Sequence, residues 1–162
     1  SAASDVYKRQ SFWFDRIASK EAEIMKLNPD CVRDVMLVLE EITGINYDRI
    51  YRFIGVNCRS LSSRFKGVYD EGEIAYTLIQ LAESNYIKMS FQCDGSHLTV
   101  DMGNILYVTP KGHEFISQIQ DNERWTTKIK PAVRLFGNVS LSVIEAISKG
   151  AANAALDKII PN

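Results

Sequence analysis

The sequence predicts an α+β fold: a winged-helix-like domain, in the order helix, strand, short helix, helix, β-hairpin wing, followed by C-terminal helices. Three observations predict it. Two apolar runs of helical period open on strong caps, at Asn28 and at Asp70. The apolar period falls from about 3.6 to about 2 after Tyr86. The alternating stretch is then divided by Asp94-Gly95, a dipeptide suited to a tight hairpin turn.

In the first helix Asn28 is the cap, Pro29 takes the first helical position, and Asp30 faces the positive end of the dipole. Val32, Val35, Met36, Leu39 and Ile42 follow on one face, with Arg33, Asp34, Glu40 and Glu41 on the other. Gly44 is expected to close this helix in the left-handed conformation. Ile50–Val56 is short, β-branched and aromatic, which predicts one strand. Leu61 and Phe65, four apart, mark a short helix. Asp70 and Glu73 form a D-x-x-E capping pair before Ile74, Leu78 and Leu81, with Ala75, Ile79 and Ala82 beside that line and Asn85 as a left-handed stop.

Ile87, Met89, Phe91 and Cys93 then alternate with Lys88, Ser90 and Gln92, and Leu98, Val100 and Met102 alternate with Thr99 and Asp101. Gly103-Asn104 is expected to bend or turn the chain before a further strand, Ile105–Val108. Thr109-Pro110 opens a helix that turns Phe115, Ile116 and Ile119 inward. A basic stretch around Trp125 is interrupted by Pro131, and a last helix spans roughly 140–160, with Glu145, Lys149, Asn153 and Asp157 on its wet side. The expected core includes Val35, Leu39, Ile74, Leu78, Leu81, Ile87, Phe91, Phe115 and Ile119.

Composition supports this reading. The 162 residues are 46% apolar and 24% charged, a globular balance that excludes disorder and fibrous repeats. With 19 Lys+Arg against 20 Asp+Glu, no whole-molecule field draws the chain to nucleic acid or anionic lipid. No apolar run reaches the roughly 18–20 residues that span a bilayer. Cys31, Cys58 and Cys93 have no CxxC spacing and are expected to be reduced thiols in a cytoplasmic protein.

Three segments are expected: 1–24, 25–121 and 122–162. Residues 1–10 (SAASDVYKRQ) resemble a translated sequencing-library adapter, and residues 11–24 precede Met25, which is expected to be the native start. Lys20-Glu21 can be encoded by a ribosome-binding sequence just upstream of it. Residues 25–121 form the winged-helix-like domain, and 122–162 form a basic connector and an amphipathic helix. Without 1–24 the charge balance is 15 against 16 and remains near neutral.

Several stretches also resemble one family: MKLNPDCVRD, DEGEIAYTLIQLAESNYIK, VTPKGHEFI followed by DNERW, and VSLSVI near the tail. In that order they are similar to the bacterial and phage family known as domain of unknown function twenty-five-thirteen. The resemblance runs from Met25 to about Ile147. It implies a prophage or mobile-element context and supplies no activity.

No catalytic set is expected. His97 and His113 are the only histidines, and with Cys93 they match no metal or nucleophile spacing. Glu40-Glu41 and Asp70-Glu71 read as solvated charge, and no phosphate-binding glycine loop or nucleophile elbow occurs. No cofactor, metal or small-molecule substrate is therefore expected, and no membrane contact.

Two partner classes remain open. DNA is favoured by local charge: Asn46–Tyr69 carries Arg49, Arg52, Arg59, Arg64 and Lys66 against Asp48 alone. A second acid-free run holds Arg124, Lys128, Lys130 and Arg134. The reading-helix position counts against base contact, because its first turn holds Asp70, Glu71 and Glu73 and only Gln80 beyond it suits a base edge. The expected phosphate contacts are Arg59, Arg64 and Lys66, with Lys111 a weaker fourth. A protein partner or homodimer is favoured by the small residues Gly150, Ala151, Ala154 and Ala155, which let a second helix approach closely.

Overall fold

In the computed structural model the described residues are 26–46, 52–94, 97–137 and 139–159; residues 45–46, 52–54, 92–94 and 97–102 are followed in backbone only. Expectations about residues 1–25, Asp48, Arg49, Ile50 and the Gly95 turn lie outside them. The fold is mixed α+β and mostly helical, with a small three-stranded antiparallel sheet.

Helix α1 (Pro29–Ile42) starts as its sequence predicts, with the Asn28 side chain accepting from Asp30 N at 3.0 Å. It ends differently. Thr43 turns extended, and both its N–H and its hydroxyl donate to Leu39 O, at 3.0 and 2.7 Å. With that carbonyl satisfied, no left-handed cap is needed, and Gly44 begins strand β1 (Gly44–Asn46) instead. β1 pairs antiparallel with β2 (Arg52–Ile54), Gly44 opposite Ile54.

The single strand expected over Ile50–Val56 is divided at Gly55. β2 pairs with β1, whereas β3 (Val56–Asn57) pairs with β5. A Cβ on Gly55 would lie 2.7 Å from Ile105 O, so only glycine lets the chain approach β5 this closely. The expected short helix is present as α2 (Cys58–Arg64), capped by Asn57 on Arg59 N at 2.9 Å.

Helix α3 (Glu71–Glu83) is capped by Asp70, whose carboxylate accepts from Gly72 N at 2.8 Å. Glu73 does not complete the expected capping pair: its Oε1 accepts instead from Asn28 Nδ2 at 2.6 Å and ties α3 to the start of α1. Asn85, at φ 62°, makes the left-handed stop its sequence predicts. β4 (Ile87–Asp94) and β5 (His97–Val108) complete the sheet, in the order β3-β5-β4. Gly103-Asn104 does not end a strand. From Thr99 to Asn104 β5 advances five residues opposite the two of β4 from Gln92 to Ser90, so an irregular bulge absorbs the bend within one continuous strand.

Helix α4 (Pro110–Ile119) has Thr109 as its cap. The next run is helical throughout: α5 (Asn122–Arg124), a π-helical turn (Trp125–Ile129) and α6 (Lys130–Arg134). Pro131 does not interrupt it. Lys130 N already reaches back five residues to Trp125 O, and the widened turn carries the proline that has no N–H to contribute. Helix α7 (Leu141–Ile159) follows.

One buried cluster runs from Leu27 through α1, α2, α3, the sheet and α4 to Trp125, Ile129, Val133, Leu141 and Ile144. It crosses the expected division at residue 121. Every expected core residue is buried except Phe91, which the edge position of β4 leaves half-buried. The polar side of α1 is also less exposed than its pattern predicts. Arg33 donates to Ile119 O at 2.8 Å and to Gln120 O at 2.9 Å, closing the C-terminus of α4, and lies 5.6 Å from the Trp125 ring. Asp34 accepts from Tyr69 OH at 2.6 Å.

Candidate functional site

Helix α2 buries Cys58 and Leu61, and Phe65 follows them inward, which leaves Arg59 and Arg64 on the solvent side. Lys66 is exposed in the turn that follows. Among the described residues none of these three cations has an ion-pair partner. Arg64 sits in the last helical turn, where the dipole favours a positive charge. Ser60 and Ser63 share the exposed side, with Ser63 Oγ donating to Arg59 O at 2.9 Å. The chain then turns through Gly67, at φ +82°, and presents Val68 at 65% exposure.

The structure does not bring Lys111 to this group. Its Nζ donates to Ser84 O at 3.2 Å and lies 4.6 Å from the Tyr86 ring centroid, at the C-terminal end of α3. Arg64 and Lys66 precede the N-terminal end of the same helix, about 18 Å away at 1.5 Å per residue. Lys111 closes α3; the cations of α2 stand free of it.

The second basic run is partly engaged. Lys130 Nζ pairs with Asp30 Oδ2 at 2.6 Å, and Trp125 Nε1 donates to Asp30 Oδ1 at 3.0 Å. Partial burial pushes the Asp30 carboxyl up, but the hydrogen bonds from Lys130 and Trp125 and the nearby positive charges outweigh it and hold the group below its usual range. Lys128 and Arg134 remain exposed, and Arg124 is half-buried.

Helix α3 offers no cation. It buries Ile74, Thr77, Leu78 and Leu81. The remaining positions include Gly72, Ala75, Tyr76, Ile79 and Glu83; Ala75 and Ile79 are half-exposed, and Tyr76 packs against the core cluster. Gln80, the one base-reading candidate, is half-buried. Ala75 and Ile79, expected beside the core line, are half-buried there, and at 100° per residue Ile79 lies farther round from that line than Ala75.

On α7 the small residues divide. Ala151 packs against the core cluster, Ala155 is half-buried, and Gly150 and Ala154 are exposed. Glu145 is not on a wet side: it accepts a hydrogen bond from the buried Tyr86 OH, and burial together with that carboxylate raises the phenol pKa. Leu156 and Ile159 are exposed at 57% and 77%.

The thiols in view are buried. Cys31 accepts from Thr77 Oγ1 at 3.5 Å, and burial pushes its pKa up to about 11, which suppresses the nucleophilic thiolate. Cys58 is also buried, and His113 Nδ1 lies 3.4 Å from Glu40 Oε1. The side chains of Cys93 and His97 lie outside those described. Among the described residues no group of three or more His, Cys, Asp or Glu is placed to hold a metal ion, and no helix is long and apolar enough to cross a membrane.

A family model described as "Hypothetical protein (DUF2513)" matches residues 26–135, from the residue before Leu27 to the end of the α6 turn. The match stops short of Val139–Ile144, the tail stretch included in the sequence resemblance. No curated protein matches the chain, and no solved structure matches it.

Proposed function

The chain belongs to the family described as Hypothetical protein (DUF2513), a description that names no activity, and we propose that it is a non-enzymatic, winged-helix-like regulatory module of phage or prophage origin that holds the phosphate backbone of DNA. The winged-helix reading draws support from the order α1, β3, α2, α3, β4, β5, into which the separate β1-β2 pair is inserted after α1, and from the sheet order β3-β5-β4. One observation carries the DNA reading: Arg59, Arg64 and Lys66 are exposed together in a stretch without carboxylates, and no described side chain neutralises them. Cations in that state release DNA counterions on contact. The outward side of α3, apolar and acidic, does not favour base reading, so contact is to phosphates and independent of sequence.

The test is binding to a labelled random-sequence duplex as a function of salt. Binding is expected at about 50 mM salt and to fall as salt rises, with a log–log slope near −3 for about three phosphate contacts. Changing Arg59, Arg64 and Lys66 together to Ala is expected to remove most of that slope equally for all sequences, while leaving folding intact. A wild-type protein that binds neither duplex nor single-stranded DNA at about 50 mM salt overturns the reading. That result would favour a protein-docking or dimerisation module, for which the exposed Leu156 and Ile159 on α7 are the supporting observation.

A further inference from the structure

The end of α2 and the start of α3 carry opposite charges on either side of one exposed apolar residue. Arg64 and Lys66 come first, Val68 follows at 65% exposure, and Asp70 and Glu71 come next, all four charged side chains exposed. The turn that orders them is well bonded: Val68 N and Tyr69 N both donate to Phe65 O, at 2.9 and 3.1 Å. A surface with this order is its own complement under a two-fold axis, which carries the positive half of one copy onto the negative half of the other, twice. Beyond the acidic pair, Ala75 and Ile79 lie half-exposed along α3. They are apolar residues on a helix that already buries its other side.

We propose that this face is a homodimer surface, with a second copy of the chain as its occupant and the two-fold axis close to Val68. Arg64 and Lys66 of each copy meet Asp70 and Glu71 of the other, and Val68 packs against its equivalent on the axis. The aliphatic stems of the cations cover the apolar side of α3. Another occupant would have to supply both charge signs in this order; the second copy already has them. Exposed ion pairs set register and orientation more than affinity, so the dimer is weak and sensitive to salt. It does not depend on DNA binding, although it uses two of the same cations.

The experiment is sedimentation equilibrium of the full chain without DNA. Wild type at about 0.5 mM is expected to be dimeric in about 50 mM salt and monomeric in about 500 mM. Arg64→Glu with Lys66→Glu is expected to weaken dimerisation at least tenfold, and Glu71→Arg to weaken it as well, each with an unchanged circular dichroism spectrum. Mixing those two variants returns one attractive contact per dimer, so the mixture is expected to associate more than either alone. A monomeric wild type at low salt overturns the proposal. So does a dimer indifferent to both charge reversals, which would place the contact elsewhere, and so does a mixture no more associated than its parts.

Discussion

At Gly112 a single hydrogen atom in place of a side chain decides whether α4 can dock. A Cβ there would lie 2.1 Å from Tyr86 O and 2.6 Å from Val108 Cγ1, contacts that nothing short of moving the helix relieves. Gly112→Ala is therefore expected to cost about 3 kcal/mol or more in urea unfolding. Gly150 is the control. It is exposed in the middle of α7, and a methyl group added there would meet nothing within 4 Å, so Gly150→Ala should add about 0.5–1 kcal/mol. Equal effects of the two substitutions would show that helix propensity, not close approach, governs Gly112. In the sequence these glycines look alike, each a weak point within a helix. Their difference lies in what packs against them.

At the level of elements the caps were the most legible feature, because a cap is a local bond between residues a few positions apart. Asn28, Asp70 and Thr109 cap the helices that follow them as expected, and Asn57, which the sequence did not single out, caps α2. Thr109 does more, since its hydroxyl accepts from Gly112 N at 3.1 Å and donates to Asn85 O, joining the start of α4 to the end of α3. Thr109→Ala is expected to cost about 1–2 kcal/mol, and Thr109→Ser less than half of that, because the serine hydroxyl keeps both bonds. Equal losses in thermal or urea unfolding would refer the cost to the methyl group instead. The ends of elements were less legible. Gly44, Gly103 and Pro131 carry breaking signals by local rule, yet a neighbouring hydrogen bond, a partner strand or a π turn absorbs each one.

Across the whole molecule, Asp30 joins the first helix to the last part of the buried cluster through Lys130 and Trp125. Its carboxyl is held below the usual range in the folded state. The stability it contributes is therefore full above the unfolded value of about 4 and is lost as pH falls through the folded value. Between about pH 6 and pH 3 wild type is expected to lose more stability than Asp30→Asn, measured by urea unfolding at each pH. Identical acid profiles would remove Asp30 from the acid response. The same pair explains why the second basic run is a poorer candidate site than α2: a cation already neutralised by a half-buried partner has less to offer a phosphate.

The sequence by itself determined the starts of α1, α3 and α4, the change to strand period after Tyr86, most of the core, the left-handed Asn85 and the family, because each is written in residues close together along the chain. Tertiary structure alone decided which charges are free. Lys130, Lys111, Arg33 and Glu145 look as solvated in the sequence as Arg59, Arg64 and Lys66 do. Folding gives the first four an acceptor or donor contributed by another element and leaves the last three facing solvent. The reason is physical: an ion pair or a hydrogen bond across 27, 59 or 86 positions has no periodic trace in the chain, and exists only once packing has brought its two ends together.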